Sequence, residues 1–217
     1  MIAVLGSELD RAACKLVEAW SAVGGVLLSA RDLCRRGWVF RVPNDRKGSF
    51  VAGAVARPIE ALRGVVVRRP AVAAEELAWI AQEDRQYVAA EINAFLVAWL
   101  AALRCPVLNR PTATSLSGPA WSQIQWRVAA ARADVPWADP IEADTVAEVV
   151  FCGDLHCGAP SKRQVSYGTR LCAASGADLL GVQFSGDAVA AVTPQPRLAD
   201  QGARDMVLAY LEHRAAA

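Results

Sequence analysis

Residues 75–103 contain neither glycine nor proline, and they stand between two short apolar runs, Val65-Val66-Val67 and Val107-Leu108. A β-branched run, an unbroken helical pattern and a second apolar run predict a βαβ unit, because parallel strands require a crossover of this kind. In the predicted helix, from about Glu75 to Leu103, the residues Leu77, Ile80, Tyr87, Val88, Ile92, Phe95, Leu96, Trp99 and Leu103 recur mostly at helical spacing. Such a stripe must lie on a sheet or on another helix. Asp84, Tyr87 and Glu91 fall within two turns and share one helix face. Arg68 and Arg69 follow the first apolar run, and ligands of open α/β sheets gather beyond the carboxyl ends of the strands. Two guanidiniums there can meet a carboxylate or a phosphate. Alternatively, they pair with the helix carboxylates and pin helix to sheet.

The N-terminal part reads as alternating strands and helices. Ile2 to Leu5 is a buried strand, Leu9 to Val23 a helix stopped by Gly24-Gly25, and Val26 to Ser29 a second strand. Ala30 to Arg36 is predicted as a short helix, and Gly37 to Val42 as a third strand closed by Pro43. The segment Asn44 to Ser49 is a polar turn leading by a hairpin into Phe50 to Ala56. Gly6 stands without the second and third glycines of a dinucleotide fingerprint. Further on, a helix from about Ala120 to Ala133 is stopped by the segment Asp134 to Pro140, and a last helix runs from Ala199 to about His213.

The balance of 23 basic and 22 acidic residues argues against a nucleic-acid binder whose affinity comes from neutralising phosphates. No apolar run is long enough to cross a bilayer. The first residues do not make a signal peptide, so a cytoplasmic protein is expected. Without a secretion signal, the 6 cysteines read as reduced, largely buried thiols.

Arg68-Arg69-Pro70, then the segment Glu83 to Tyr87 with Glu91, then the segment Val107 to Pro111, resemble in order and spacing the N-terminal region of ATP-grasp peptide ligases. The branch they are most similar to is related to RimK and macrocyclises ribosomally made peptides, as in graspetide (microviridin-type) pathways. The resemblance implies an α/β fold: a pre-ATP-grasp-like parallel αβ domain with its linking helix at 1–139, then at 140–217 a remnant of the ATP-grasp C-terminal subdomain. The lid and central nucleotide-binding parts are missing from it. It further implies ligand-binding roles for Arg68, Arg69, Asp84, Tyr87, Glu91 and Asn109.

An ATP-grasp ligase makes an acyl phosphate, which requires cations on the phosphoryl group and metal ions between phosphate oxygens. The family's phosphate lysine near the start of the predicted Ala120 helix is replaced by Ser117-Gly118-Pro119-Ala120-Trp121. Where the family's last strand carries Glu-x-Asn-Pro, this chain reads Ala191-Val192-Thr193-Pro194. An alanine cannot replace a carboxylate at a metal. The resemblance therefore implies a pseudo-ligase with no catalytic residues, metal or cofactor of its own. Its expected partners are a second copy, a full-length ATP-grasp ligase or other pathway enzyme, and a precursor peptide, with neither nucleic acid nor membrane. Competing expectations are an enzyme of altered chemistry in the vacated cleft, and half of a split ligase. Cys152, His156 and Cys157, with Asp154, are weak candidates for a metal or thiolate site. The favoured reading is simpler, a strand end with a tight turn and two incidental thiols. Trp121 and Trp126 cannot share one face of a regular helix, so one of them is expected on a contact surface.

Overall fold

The computed structural model describes residues 1–42, 48–138 and 147–216. It divides into two compact units, residues 1–118 with 211–217, and residues 119–210. The expected boundary at 139 lies outside the described residues. The helix Gln123–Arg132, read from sequence as part of the first domain, belongs to the second unit, because Trp126 and Ala130 join that unit's core.

In the first unit, β1 (Ile2–Leu5), β2 (Gly25–Leu28), β5 (Gly64–Val67) and β6 (Val107–Leu108) form an all-parallel sheet in the order β2-β1-β5-β6. Every residue of β1 and β5 is buried, as expected of a parallel sheet covered on both faces. Ala3, Leu5, Val65, Val67 and Val107 pack with Leu96, Trp99 and Leu100 of α3 (Arg85–Ala102). The alternate residues Ile2, Val4 and Val66 point to the other face, where α1 (Arg11–Ala19) lies on β1 and β2. Gly24, in the left-handed region at φ 78°, ends the 3₁₀ turn Ser21–Val23 and releases the chain into β2. α2 (Ala30–Leu33) follows, held by a capping box between Ser29 and Asp32.

The expected third strand at 37–42 reduces to an isolated antiparallel bridge, Val39 to Ser49. The regular pairing is an antiparallel hairpin of β3 (Ser49–Ala52) and β4 (Val55–Pro58), turned at Gly53-Ala54. The polar turn predicted at 44–49 falls largely on residues 43–47, outside the described ones.

The βαβ unit forms, with β5 parallel to β6 across α3. Its helix is shorter than the periodicity predicts: residues 74–76 are a 3₁₀ turn and the α-helix begins at Arg85. Arg85 donates to the carbonyls of Ile80 (2.9 Å) and Ala78 (3.0 Å), which ties down a turn where helix would otherwise continue. Asn93 clamps the same connection, its Oδ1 accepting from Val72 N (2.8 Å) and its Nδ2 donating to Val72 O (2.9 Å). At the other end of α3, Arg110 donates to the carbonyls of Leu100 and Ala101, the groups a helix C-terminus leaves unpaired.

The second unit holds α4 (Gln123–Arg132), then β7 (Ala147–Cys152), β8 (Leu155–Cys157), α5 (Lys162–Ser175), β9 (Leu179–Ser185) and β10 (Ala188–Thr193). The four strands make one antiparallel sheet, β10-β9-β7-β8. Val149, Phe151, Leu180, Val182, Phe184, Val189 and Val192 form its core with Leu171 and Cys172 of α5 and with α4. α6 (Gln201–Ala216) follows, with Tyr210 against Gly153 and Gly202 against Cys157. Segment 133–146 between α4 and β7 is far shorter than the roughly 40 residues at which domains begin to fold alone.

The thiols are less buried than expected. Cys152 and Cys172 are buried, Cys105 and Cys157 are half-buried, and Cys14 and Cys34 are exposed; all are free. No described helix is long and apolar enough to cross a membrane.

Candidate functional site

In the parallel sheet, the chain leaves β1 toward β2 on one side and leaves β5 toward β6 on the other. The reversal between β1 and β5 opens a crevice beyond the carboxyl ends of the strands. Three strand ends supply its walls. After β1, the Gly6-Ser7 turn leads to Asp10, whose Oδ1 accepts from Ala12 N (2.9 Å) and caps α1. After β2, Ser29 caps α2 and is held by Asp32, whose Oδ1 also accepts from Ala54 N (2.8 Å). After β5 come Arg68 and Arg69. The crevice measures about 260 Å³ and is lined by Ser7, Glu8, Leu9, Ser29, Arg31 and Trp79, with Ala30 and Glu76.

Each of the two arginines stands beside a carboxylate outside α3. Arg68 Nε lies 3.5 Å from Asp10 of α1's cap. Arg69 is ion-paired and hydrogen-bonded to Glu76 in the 3₁₀ turn, and its Nε donates to Ala71 O (2.9 Å). Burial pushes the Arg69 guanidinium down to about 10, which leaves it cationic at neutral pH. Its charge is thus spent on organising the loop after β5. Asp84, Tyr87 and Glu91 stand on the solvent side of α3, Tyr87 being 68% exposed, because Val88, Ile92, Leu96 and Trp99 occupy the sheet side. Asn109, one residue past β6, is 1% exposed; its Nδ2 donates to Ser117 O (3.3 Å), and Gly118 packs on its Cβ.

Arg68, Arg69 and Asn109 therefore share the carboxyl edge of the sheet, while the α3 trio forms a separate exposed face. Sequence reading missed Ser7, Arg31, Glu76 and Trp79. The Arg31 guanidinium stacks over the Trp79 ring at 5.1 Å, a cation–π pair at the crevice mouth. Leu9 stands 91% exposed beside it. Apolar surface, a cation, the Glu8 carboxylate and the Ser7 hydroxyl are what a peptide ligand, itself part apolar and part polar, would meet.

In the second unit, strand alternation and register place Glu148, Gln183, Ala191 and Thr193 together on the sheet face turned away from α5. This is the face on which the resemblance puts magnesium ligands. Ala191 has no donor oxygen, and Thr193 Oγ1 accepts from Gln195 N (3.1 Å). Glu148 is the sole carboxylate within the four strands, and it lies over Gly181. Hard divalent cations between phosphates take several oxygen ligands, mainly carboxylates. The donor set does not fit a magnesium-bound nucleotide.

At the expected lysine position stands the segment Ser117 to Trp121, and just after it Ser122 caps α4 in a box with Gln125. Cys152, His156 and Cys157 do not converge: register pairs Phe151 with His156 and Val150 with Cys157, so His156 and Cys157 point to opposite faces of the hairpin. Among the described residues, no three His, Cys, Asp or Glu side chains are grouped to hold a metal ion. Burial, with the charge of Asp178, pushes the Cys152 thiol well above its usual range and Cys172 up to about 12; burial and Asp200 raise Cys157. These are thiols held neutral, the reverse of an activated nucleophile.

A parallel αβ unit followed by an antiparallel sheet backed by a helix is the fold of the ATP-grasp ligases, as the order of motifs in the first half implied. Among the solved structures that carry it, three serve as examples. The macrocyclase MdnC of Microcystis aeruginosa MRC, bound with precursor peptide MdnA, superposes with TM-score 0.71 at 9% identity, covering 100% of this chain and 99% of that one. The ATP-grasp ligase PsnB, complexed with a minimal precursor, Mg and ADP, gives TM-score 0.68 at 12% identity over 97% and 98% of the two chains. A RiPP-associated ATP-grasp ligase of Chryseobacterium gregarium, in complex with ADP and a leader and core peptide, gives TM-score 0.62 at 8% identity over 99% and 96%. No protein-family model matches the sequence, and no curated protein does either.

Proposed function

We propose that this chain is a non-catalytic ATP-grasp-fold protein that binds peptide in the modification of a ribosomally made peptide, and that it does not itself bind ATP and magnesium. The observation that carries the reading is the sheet face of β7, β9 and β10. There the positions the resemblance reserves for metal ligands hold Ala191 and a Thr193 whose hydroxyl is already engaged. The short passage from α4 to β7 supports it, being too short to form a lid subdomain of its own. Peptide binding is supported by the crevice after β1, β2 and β5, and by neighbours of the same fold that were solved with precursor peptides.

Isothermal titration with ATP and Mg²⁺ tests the proposal directly. Absence of binding at micromolar concentrations is the expected result, and clear micromolar binding overturns it. Mixing with a full-length ATP-grasp ligase extends the test: ligation that appears only in the mixture, and only with this chain's Glu148 intact, would make it half of a split enzyme.

A further inference from the structure

Ile124 and Val128, one turn apart on α4, are 76% and 46% exposed. On the opposite side of the same helix Trp126, Ala129 and Ala130 carry all the burial. The exposed pair adds nothing to the core, and with Trp121 it lines one side of a groove. The groove, of about 480 Å³, runs between α4 and α5, left open because Ala129, Ala133 and Ala174 are small. Trp121 walls the N-terminal end, fixed by edge-on packing against Trp126 at 4.8 Å, and Arg132 stands at the other. Trp121 is the one of the two tryptophans left for contact; Trp126 is buried.

Charge decides what can occupy the groove. α4 carries Arg127 and Arg132, both exposed, and has no acidic residue. A second copy docking through this face would set arginine against arginine, which opposes association. We propose that the α4–α5 groove docks an acidic peptide segment, an aliphatic or aromatic side chain lying against Trp121, Ile124 and Val128 and a carboxylate reaching Arg132. This role rests on the peptide-binding reading and names the chemistry of the partner. Between Ile124 and Arg132 the helix rises about 12 Å at 1.5 Å per residue. Anchor and carboxylate therefore lie about four residues apart in an extended segment.

Fluorescence anisotropy on the full chain tests it with labelled, N-acetylated peptides. The first places a leucine four residues before paired glutamates; the others replace the glutamates by glutamine, the glutamates by lysine, or the leucine by serine. The leucine–glutamate peptide is expected to bind at least tenfold more tightly than the others. Arg132→Glu should weaken that peptide at least tenfold and tighten the lysine version, while Val128→Asp should weaken every peptide. Both positions are exposed, and unchanged thermal melting will show that the variants fold. Equal binding of all four peptides, or unchanged affinity in Arg132→Glu, overturns the proposal. A concentration-dependent dimer dissolved by Val128→Asp also overturns it, because the occupant is then a second copy. Titrating ATP and Mg²⁺ into the same samples separates the two readings. Nucleotide binding with peptide selectivity retained removes the pseudo-ligase reading alone; silence toward both removes the groove alone.

Discussion

Gly168 sits in the middle of α5, where helix propensity by itself says that alanine stabilises by about 1 kcal/mol. The structure reverses the sign. A Cβ at position 168 would overlap the Phe151 ring, with Cζ, Cε1 and Cε2 all inside contact distance. Phe151 is 1% exposed in the central strand β7 and packs among Leu171, Leu180 and Val182, so the ring has no room to retreat. Overpacking a closed core costs about 1–3 kcal/mol. Set against the propensity gain, Gly168→Ala should lose about 1 kcal/mol net, and up to about 2 kcal/mol if the ring is pushed off its rotamer. Urea unfolding followed by tryptophan fluorescence measures this as a midpoint lowered by roughly 0.5 M at a slope of about 2 kcal/mol/M. Phe151→Leu supplies the control, because removing the ring makes space for the methyl group. The two losses should then fail to add by at least about 1 kcal/mol in the double variant. A higher midpoint for Gly168→Ala, or strict additivity with Phe151→Leu, would refute the reasoning.

Two further perturbations check other parts of the molecule. Arg69→Met leaves Glu76 without its buried cation and should destabilise by about 3 kcal/mol, whereas Arg69→Met with Glu76→Leu should recover most of that loss in chemical denaturation. Cys172, whose thiol burial raises from 9.0 to about 12, ionises in the unfolded chain before it does so in the folded one. Its contribution is complete below pH 9 and is lost as pH rises toward 12, by about 1.4 kcal/mol per pH unit. Cys172→Ala should flatten that slope, and an unchanged slope would show that the thiol does not titrate late.

The parallel αβ unit was legible in sequence because its signals are local. The runs Ile2–Leu5 and Val65–Val67 are uniformly apolar, as only strands covered on both faces are, and the stripe of α3 states which side meets the sheet. The failures were also local, but in the opposite sense. The chain at 77–84 has helix-compatible residues, yet the Arg85 side chain holds its backbone in turns, and a hydrogen bond to a main-chain carbonyl leaves no periodic trace. Gly37 to Val42 carries strand-like residues, but only Val39 bridges to Ser49.

The candidate site divides in the same way. The sequence by itself determined that two arginines follow the Val65–Val67 strand and that the last strand carries Ala191 and Thr193 with no carboxylate, and its motif order pointed to the ATP-grasp fold. Those are matters of residue identity, which folding does not alter. Only the tertiary structure decided that Arg68 and Arg69 stand beside Asp10 and Glu76, that Ser7, Arg31 and Trp79 meet at one crevice, and that His156 and Cys157 diverge. Strand order and register set those partners, through long-range pairing of β1 with β2 and β5 and through the register of the β7–β8 hairpin. A pleated strand turns neighbouring residues to opposite faces, so proximity in sequence said nothing about proximity in space.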